Sequence, residues 1–412
     1  MQGGSVAASI EALPEKFRAG SAQGTKARFR IKVDRIKRDV VIDGMNCKVE
    51  AAKGKADSEI HTDAETWFKM EAGLVSGTEA FAGGRLVVRG SIQKTLLFEP
   101  LFDRPDAGAL KHTIEDVKVG RLHFSTLVAG PEDGEPLLLL HGLGATKASW
   151  LTILPDLAKT YRVYAIDLPG FGSSSKPRGR YDARWFARNV FNFMDSVGLK
   201  AAHLGGNSMG GRIAQEMAMM DPKRITSLAC LCPATAFSKR PGLWLAKTLR
   251  PELGIAAGYM PRSRVIGGLR DMFAKASKVD PDWYEAACDD FLRTWRDPRA
   301  RMAFFAAARQ IYIEEPHGER GFWARLEAMR PPALYVYGKQ DPIISCDFGR
   351  RVQKFLPAAT VELWDNCGHV PQVEYPDKTA RRLLRFYGEN GASTKARPAR
   401  KAASARRSAI AR

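Results

Sequence analysis

The chain has 412 residues, 64 Lys+Arg against 45 Asp+Glu, and a formal net charge of +19. That length allows two or three domains, and the 45% apolar fraction is that of an ordinary globular protein. No apolar run approaches a membrane span, and the six cysteines show no disulfide spacing, so neither a membrane-spanning nor a disulfide-stapled chain is expected.

The charge is uneven. Residues 391–412 carry seven basic residues and no acid, and residues 1–40 carry nine basic and four acidic ones. The tail over 390–412, rich in Ala, Ser, Arg and Lys, is expected to be disordered. It could hold the protein on an anionic membrane or nucleic acid by charge alone, or merely keep it soluble. The opening stretch, with Glu11 and Glu15 and no apolar core, does not read as a secretory signal. A reduced, cytoplasmic compartment is the simplest expectation.

In chain order, residues 1–25 are small and polar and are expected to be flexible. Phe29, Ile31 and Val33 alternate with charged residues, which predicts a half-buried strand. Strand-like pieces follow near Val40–Ile42 and Asn46–Ala51. Asp63 caps a helix carrying Trp67, Phe68 and Met70 at near-helical spacing. A short helix from Gly77, a strand over Arg85–Arg89 and an amphipathic stretch over Ile92–Phe102 close the unit. Asp63-Ala64-Glu65-Thr66-Trp67, Gly73, Glu79-Ala80-Phe81, Gly84-Arg85-Leu86 and Val88-Arg89-Gly90 together resemble the sterol-carrier-protein-2 family. The resemblance implies a small α+β domain over 26–105 with an apolar tunnel for a fatty acyl or sterol-like ligand. The aromatic residues could equally be plain core.

From Thr113 strands and helices alternate. Val117–Val128 reads as one or two antiparallel strands. Pro136–Leu140 is a buried strand ending in His141-Gly142-Leu143-Gly144, with a helix from about Ser149. Tyr161–Ile166 is a strand leading into Asp167-Leu168-Pro169-Gly170-Phe171-Gly172, read as a structural loop. A helix over Arg184–Val197 precedes the strand Ala201–Gly205. Residues 236–328 interrupt the alternation and read as a helical lid. Alternation resumes through Ala333–Tyr337 and Thr360–Trp364 to a last helix from Pro376. The fold class is α/β: a doubly wound, mostly parallel sheet over 113–389 with a lid insertion.

The chemistry centres on Gly206-Asn207-Ser208-Met209-Gly210 between a strand and a helix, the setting of a nucleophile elbow. Ser208 is the candidate nucleophile. Asp341, in Gly338-Lys339-Gln340-Asp341-Pro342, and His369, in Cys367-Gly368-His369, follow later strands, in the order Ser, acid, base. Asp365 is the competing acid. Met209 and Leu143 are the candidate oxyanion-hole N–H donors. These segments together resemble the α/β-hydrolase family over 113–389. Serine at the elbow sets aside the branches that use aspartate there. The resemblance implies an esterase or lipase acting on an apolar or lipid-like ester. C–C hydrolysis of ring-cleavage products is the second branch, and a lipid-binding protein without turnover is the rival. No metal or organic cofactor is expected. Because the candidate residues all lie downstream, deleting residues 1–105 is expected to spare short-chain ester hydrolysis.

Overall fold

A computed structural model describes residues 5–22, 24–234, 250–256 and 258–391. The basic tail from residue 392 and the start of the expected lid, 235–249, lie outside the described residues.

The N-terminal unit is a five-stranded sheet of order β3-β2-β1-β4-β5. Its strands are β1 (Lys26–Val33), β2 (Ile36–Asp43), β3 (Asn46–Ala51), β4 (Ser58–Thr62) and β5 (Leu86–Gly90). β1 and β4 are parallel and the other pairs antiparallel. Helices α1 (Val6–Glu11), α2 (Ala64–Glu71), α3 (Gly77–Ala82) and α4 (Ile92–Phe98) accompany it. Asp63 caps α2 through Thr66 N, and Ser76 with Glu79 forms a capping box on α3.

The described residues 5–22 are not the loose segment that polarity predicts for residues 1–25. Ile10 and Leu13 are fully buried. The Trp67 indole donates to Ser9 Oγ at 3.0 Å, and Arg18 N donates to Leu101 O at 2.8 Å. Ile10, Leu13 and Ala22 join the core, and Val6 and Phe17 pack against it, so tertiary burial outweighs the polar local composition.

The second sheet has eight strands in the order β13-β12-β11-β10-β8-β9-β7-β6. These are β6 (His112–Val119), β7 (Leu122–Ala129), β8 (Glu135–Leu140), β9 (Tyr161–Ile166), β10 (Ala202–Asn207), β11 (Ile225–Leu231), β12 (Ala333–Gly338) and β13 (Thr360–Trp364). β6 to β7 and β7 to β9 are antiparallel, and the remaining pairs are parallel. β10 and β12 are buried at every residue, as strands covered on both faces must be. β8 and β10 are neighbours, yet β8 leads on to β9 on one side and β10 to β11 on the other. Their carboxyl ends therefore open a crevice at the switch point of the sheet, where ligands of such sheets bind. The segment after β8 is not one helix from Ser149. It is a 3-10 turn over Lys147–Trp150, capped by Thr146, and a short helix α5 (Leu154–Leu157).

The insertion is helical over its described part. It includes helices Arg262–Arg270, Pro281–Trp295, Pro298–Ile313 and Phe322–Glu327. Helix Pro281–Trp295 packs on β5 and α4 of the N-terminal unit. Arg89 pairs with Asp282, and Gly90 N donates to Asp289 Oδ2 at 2.7 Å. No described helix is long and apolar enough to cross a membrane.

The two units share one hydrophobic core. Phe29, Trp67, Leu96 and Phe98 belong to the same buried cluster as Leu137, Trp150, Leu151 and Tyr387. Leu151 also lines the narrow apolar cavity of the N-terminal unit, beside Met70, Phe81, Ile92 and Leu96. Trp67 lies outside that lining and is core. A shared core revises the truncation expectation: removing residues 1–105 uncovers this apolar surface. The 106–412 fragment is expected to aggregate or to unfold well below the full-length chain. Circular dichroism melting and size exclusion check this, and a monomeric fragment melting like full-length protein would mean that the cores are independent.

Candidate active site

β10 delivers Ser208 to the crevice. Its φ of 53° and ψ of −117° form the strained turn of a nucleophile elbow. The turn leaves no room beside it. A Cβ on Gly206 would lie 2.5 Å from the Gly210 backbone, and one on Gly210 would collide with Leu140 O. Ser208 N donates to Leu231 O at 2.9 Å, while Arg212 N and Ala234 N each donate to Ser208 O at 3.0 Å. The backbone is thus fixed, and the half-buried hydroxyl makes no hydrogen bond among the described residues. α6 (Met209–Met220) begins at the next residue, so Met209 N–H is a first-turn donor at the positive end of a helix, with no acceptor among the described residues.

His369 and Asp341 meet at the ends of β13 and β12. His369 Nδ1 lies 2.7 Å from Asp341 Oδ2, and both side chains are buried. Asp341 Oδ1 accepts from Ile343 N at 2.7 Å and Ile344 N at 2.9 Å. A carboxylate that accepts all three bonds places the His369 proton on Nδ1 and leaves Nε2 free to act as a base. Asn207 Nδ2 donates to His369 O at 3.0 Å and to Leu231 O at 3.0 Å, tying His369 to the strand that carries Ser208. The competing Asp365 is exposed and pairs with Lys339 at 2.8 Å.

The 141–144 loop borders Ser208: a Cβ on Gly142 would lie 3.4 Å from Ser208 Cβ. Leu168 N donates to His141 Nε2 at 3.0 Å, so the His141 proton sits on Nδ1 and is donated to Gly142 O at 2.8 Å. Complete burial holds the His141 imidazole below its ordinary pKa, which keeps it in this neutral form. Ala145 N also donates to Gly142 O, at 3.2 Å. In a trans peptide the carbonyl and the next N–H point opposite ways. Holding Gly142 O on the loop's inner side therefore turns the Leu143 N–H outward.

Several participants escaped the sequence reading. Lys147 is buried at 1% exposure, and its Nζ donates to Asp167 Oδ2 at 2.8 Å, to Ser125 Oγ at 3.0 Å and to Gln93 Oε1. Burial alone would raise the Asp167 carboxyl, but the Lys147 ammonium and further partners hold it below the ordinary carboxylate value. Met272 O accepts from His369 N at 2.7 Å, so the insertion grips the His369 backbone itself. Cys232 directly follows β11 with a φ of 44°. One ligand atom each of Cys232, Asp341 and His369 lies within 4.8 Å of the others, the one grouping among the described residues that could hold a metal. Burial and the neighbouring Asp341 push the Cys232 thiol well above its usual pKa, so it stays protonated, and it donates to Gly368 O at 3.6 Å. His112 is buried in β6, with Nε2 2.9 Å from Leu96 O. None of these had a local pattern to betray it.

Aromatic side chains of the insertion pack against the 141–144 loop at Gly144. Phe291 stacks on Trp295, and Phe304 meets Trp295 edge-on. Gly144 has φ +74°, and a Cβ there would lie 2.9 Å from Phe304 and 3.3 Å from Phe291. Gly144→Ala is expected to cut kcat by about 10²-fold, since it both strains the turn and displaces the loop. Steady-state kinetics on a short-chain ester check this; unchanged kcat would mean that the loop does not contribute to rate.

Residues 137–382 match the profile described as "Alpha/beta hydrolase family". Residues 9–103 match that described as "SCP-2 sterol transfer family". The chain is 27% identical over 265 residues to 2-hydroxymuconate semialdehyde hydrolase of Pseudomonas sp. (strain CF600), covering 63% of this chain and 89% of that protein. It is 30% identical over 258 residues to the dihydrolipoyllysine-residue acetyltransferase component of the acetoin cleaving system of Pseudomonas putida. That match covers 62% of this chain and 64% of the relative, less than two thirds of its length. The crystal structure of a membrane phospholipase A, a bacterial virulence factor, aligns with a TM-score of 0.57 at 31% identity, covering 67% of this chain and 86% of that one.

Proposed function

The chain belongs to the alpha/beta hydrolase family, and from that premise we propose that it is a serine hydrolase of esterase or lipase type acting on apolar acyl esters. The observation that carries this reading is the 2.7 Å contact of His369 Nδ1 with Asp341 Oδ2, on the same rim as a serine held in an elbow. Ser208 Oγ attacks the ester carbonyl while His369 Nε2 takes its proton. The Leu143 and Met209 N–H groups stabilise the oxyanion. His369 returns the proton to the departing alcohol. Water, activated by the same base, then releases the acid and frees Ser208.

The aromatic cover over Gly144 favours an apolar acyl group, because each buried methylene adds roughly 0.8 kcal/mol. Likeness to a phospholipase A supports a lipid-like substrate. Likeness to 2-hydroxymuconate semialdehyde hydrolase supports a second reading, C–C hydrolysis on the same triad. The deciding experiment measures kcat/KM for aryl esters of graded acyl length beside a dienol ring-cleavage ketone. Rising efficiency with chain length fits the ester reading. Turnover of the ketone alone would replace it.

A further inference from the structure

The N-terminal unit reaches the catalytic loop through one buried side chain. Gln93 lies on α4, within the segment that matches the sterol-transfer profile, and is 6% exposed. Its Nε2 donates to Thr146 Oγ1 at 3.1 Å, and its Oε1 accepts from Lys147 Nζ. Both partners follow the oxyanion loop directly.

The hydrogen-bonding capacity of those two residues decides what Gln93 does. A lysine ammonium has three N–H donors. Those of Lys147 go to Asp167, Ser125 and Gln93, so Gln93 takes the last one. A threonine hydroxyl has one donor and two acceptor sites. Thr146 Oγ1 donates to Asp290 Oδ2 of the insertion at 2.5 Å, accepts from Ala148 N at 3.3 Å, and accepts from Gln93. Gln93 again fills the last place. Thr146 and Lys147 are 3% and 1% exposed, so solvent has no access to substitute for it.

We propose that Gln93, a residue of the N-terminal unit, is a positioning residue for the oxyanion loop. The inference rests on the esterase reading given above. Losing its partner at a buried ammonium drives Lys147 and Thr146 to move rather than leave a donor unmet. The 142–145 turn links that movement to the Gly142–Leu143 peptide, because Ala145 N bonds Gly142 O. Oxyanion stabilisation depends on that N–H being aimed where charge develops in the transition state. The loss therefore falls on kcat. The active geometry of the hydrolase unit is thus completed by the unit that precedes it.

The test uses the full chain and a soluble butyryl ester. Gln93→Met keeps the length and removes both polar contacts. Its kcat is expected to fall about tenfold with KM within about twofold. Gln93→Glu keeps an acceptor for Lys147 but loses the donor for Thr146, and should fall less. Arg89→Met removes another contact between the N-terminal unit and the insertion, the pair with Asp282, away from the loop. It should lower the melting temperature while leaving kcat within about twofold. A Gln93→Met enzyme whose kcat is unchanged, or falls no more than that of Arg89→Met, overturns the proposal. So does a change confined to KM. Should Gln93→Met not fold, Gln93→Glu is judged against Arg89→Met by the same rule. Wild-type protein that turns over no ester removes the esterase reading and this inference with it, a result distinct from an active wild type with an unaffected Gln93→Met.

Discussion

Ser208→Ala is expected to lower ester turnover by about 10⁶-fold while the protein melts within a degree or two of wild type. The two halves of that expectation have different sources. On the proposed mechanism turnover collapses because a triad acts as a unit: without Oγ, His369 has no proton to take and no acyl-enzyme forms. What survives comes from the oxyanion donors and binding alone. Stability persists because alanine bears the elbow's φ of 53° no worse than serine does, and the hydroxyl has no hydrogen bond among the described residues to lose. KM should stay within a few-fold, since the aromatic cover and the loop are untouched. Purified mutant and wild type are compared on a butyryl ester, with fluorophosphonate labelling as a second readout. Labelling of the mutant, or turnover above about one part in a thousand, would place the nucleophile elsewhere.

The parts of this site that were legible in the sequence share one property: their physical requirement is local. Gly206 and Gly210 flank Ser208 because the turn admits no side chain at either place. Asp63 announces a helix start because a cap bonds an N–H three residues on. β8, β9, β12 and β13 showed as short apolar or β-branched runs, close to the bounds found. What was illegible depends on partners far away in the chain. A buried lysine reads as a surface lysine until Asp167, Ser125 and Gln93 converge on it from three segments. Met272 meets His369 through its backbone carbonyl, which no side-chain pattern records. The opening segment looked loose because composition weighs every residue equally, whereas a few well-placed apolar residues, Ile10 and Leu13 among them, anchor it in the core.

That contrast bears on why the two units are fused. A carrier domain that only delivered substrate could hang on a linker. Here α4 lines the apolar cavity with Ile92 and Leu96 on one face and meets the loop with Gln93 on another. Leu151, a few residues beyond the loop, lines the same cavity. The shared core also makes the hydrolase sheet depend on the N-terminal unit for burial.

Asp341→Asn is expected to lower kcat by about 10⁴-fold, and Asp365→Asn by less than about twofold. At position 341 the backbone fixes the outcome. Ile343 and Ile344 present N–H groups to one oxygen, so the asparagine must turn its carbonyl to them. Its amide N–H then faces His369 Nδ1, which accepts instead of donating. The imidazole proton moves to Nε2, and the base that Ser208 needs is lost although every atom stays in place. The stability cost should be small, because shape and buried contacts are kept. Position 365 offers the opposite case. Its carboxylate is 70% exposed and pairs with Lys339 rather than with His369. Removing its charge disturbs only a solvent-screened ion pair. Both variants are assayed on one soluble ester and their melting temperatures compared. If Asp365→Asn proved the costly change and Asp341→Asn the mild one, the acid would have been assigned to the wrong loop. Comparable losses from both would mean that the base is oriented by the loop as a whole rather than by the 2.7 Å contact with Asp341.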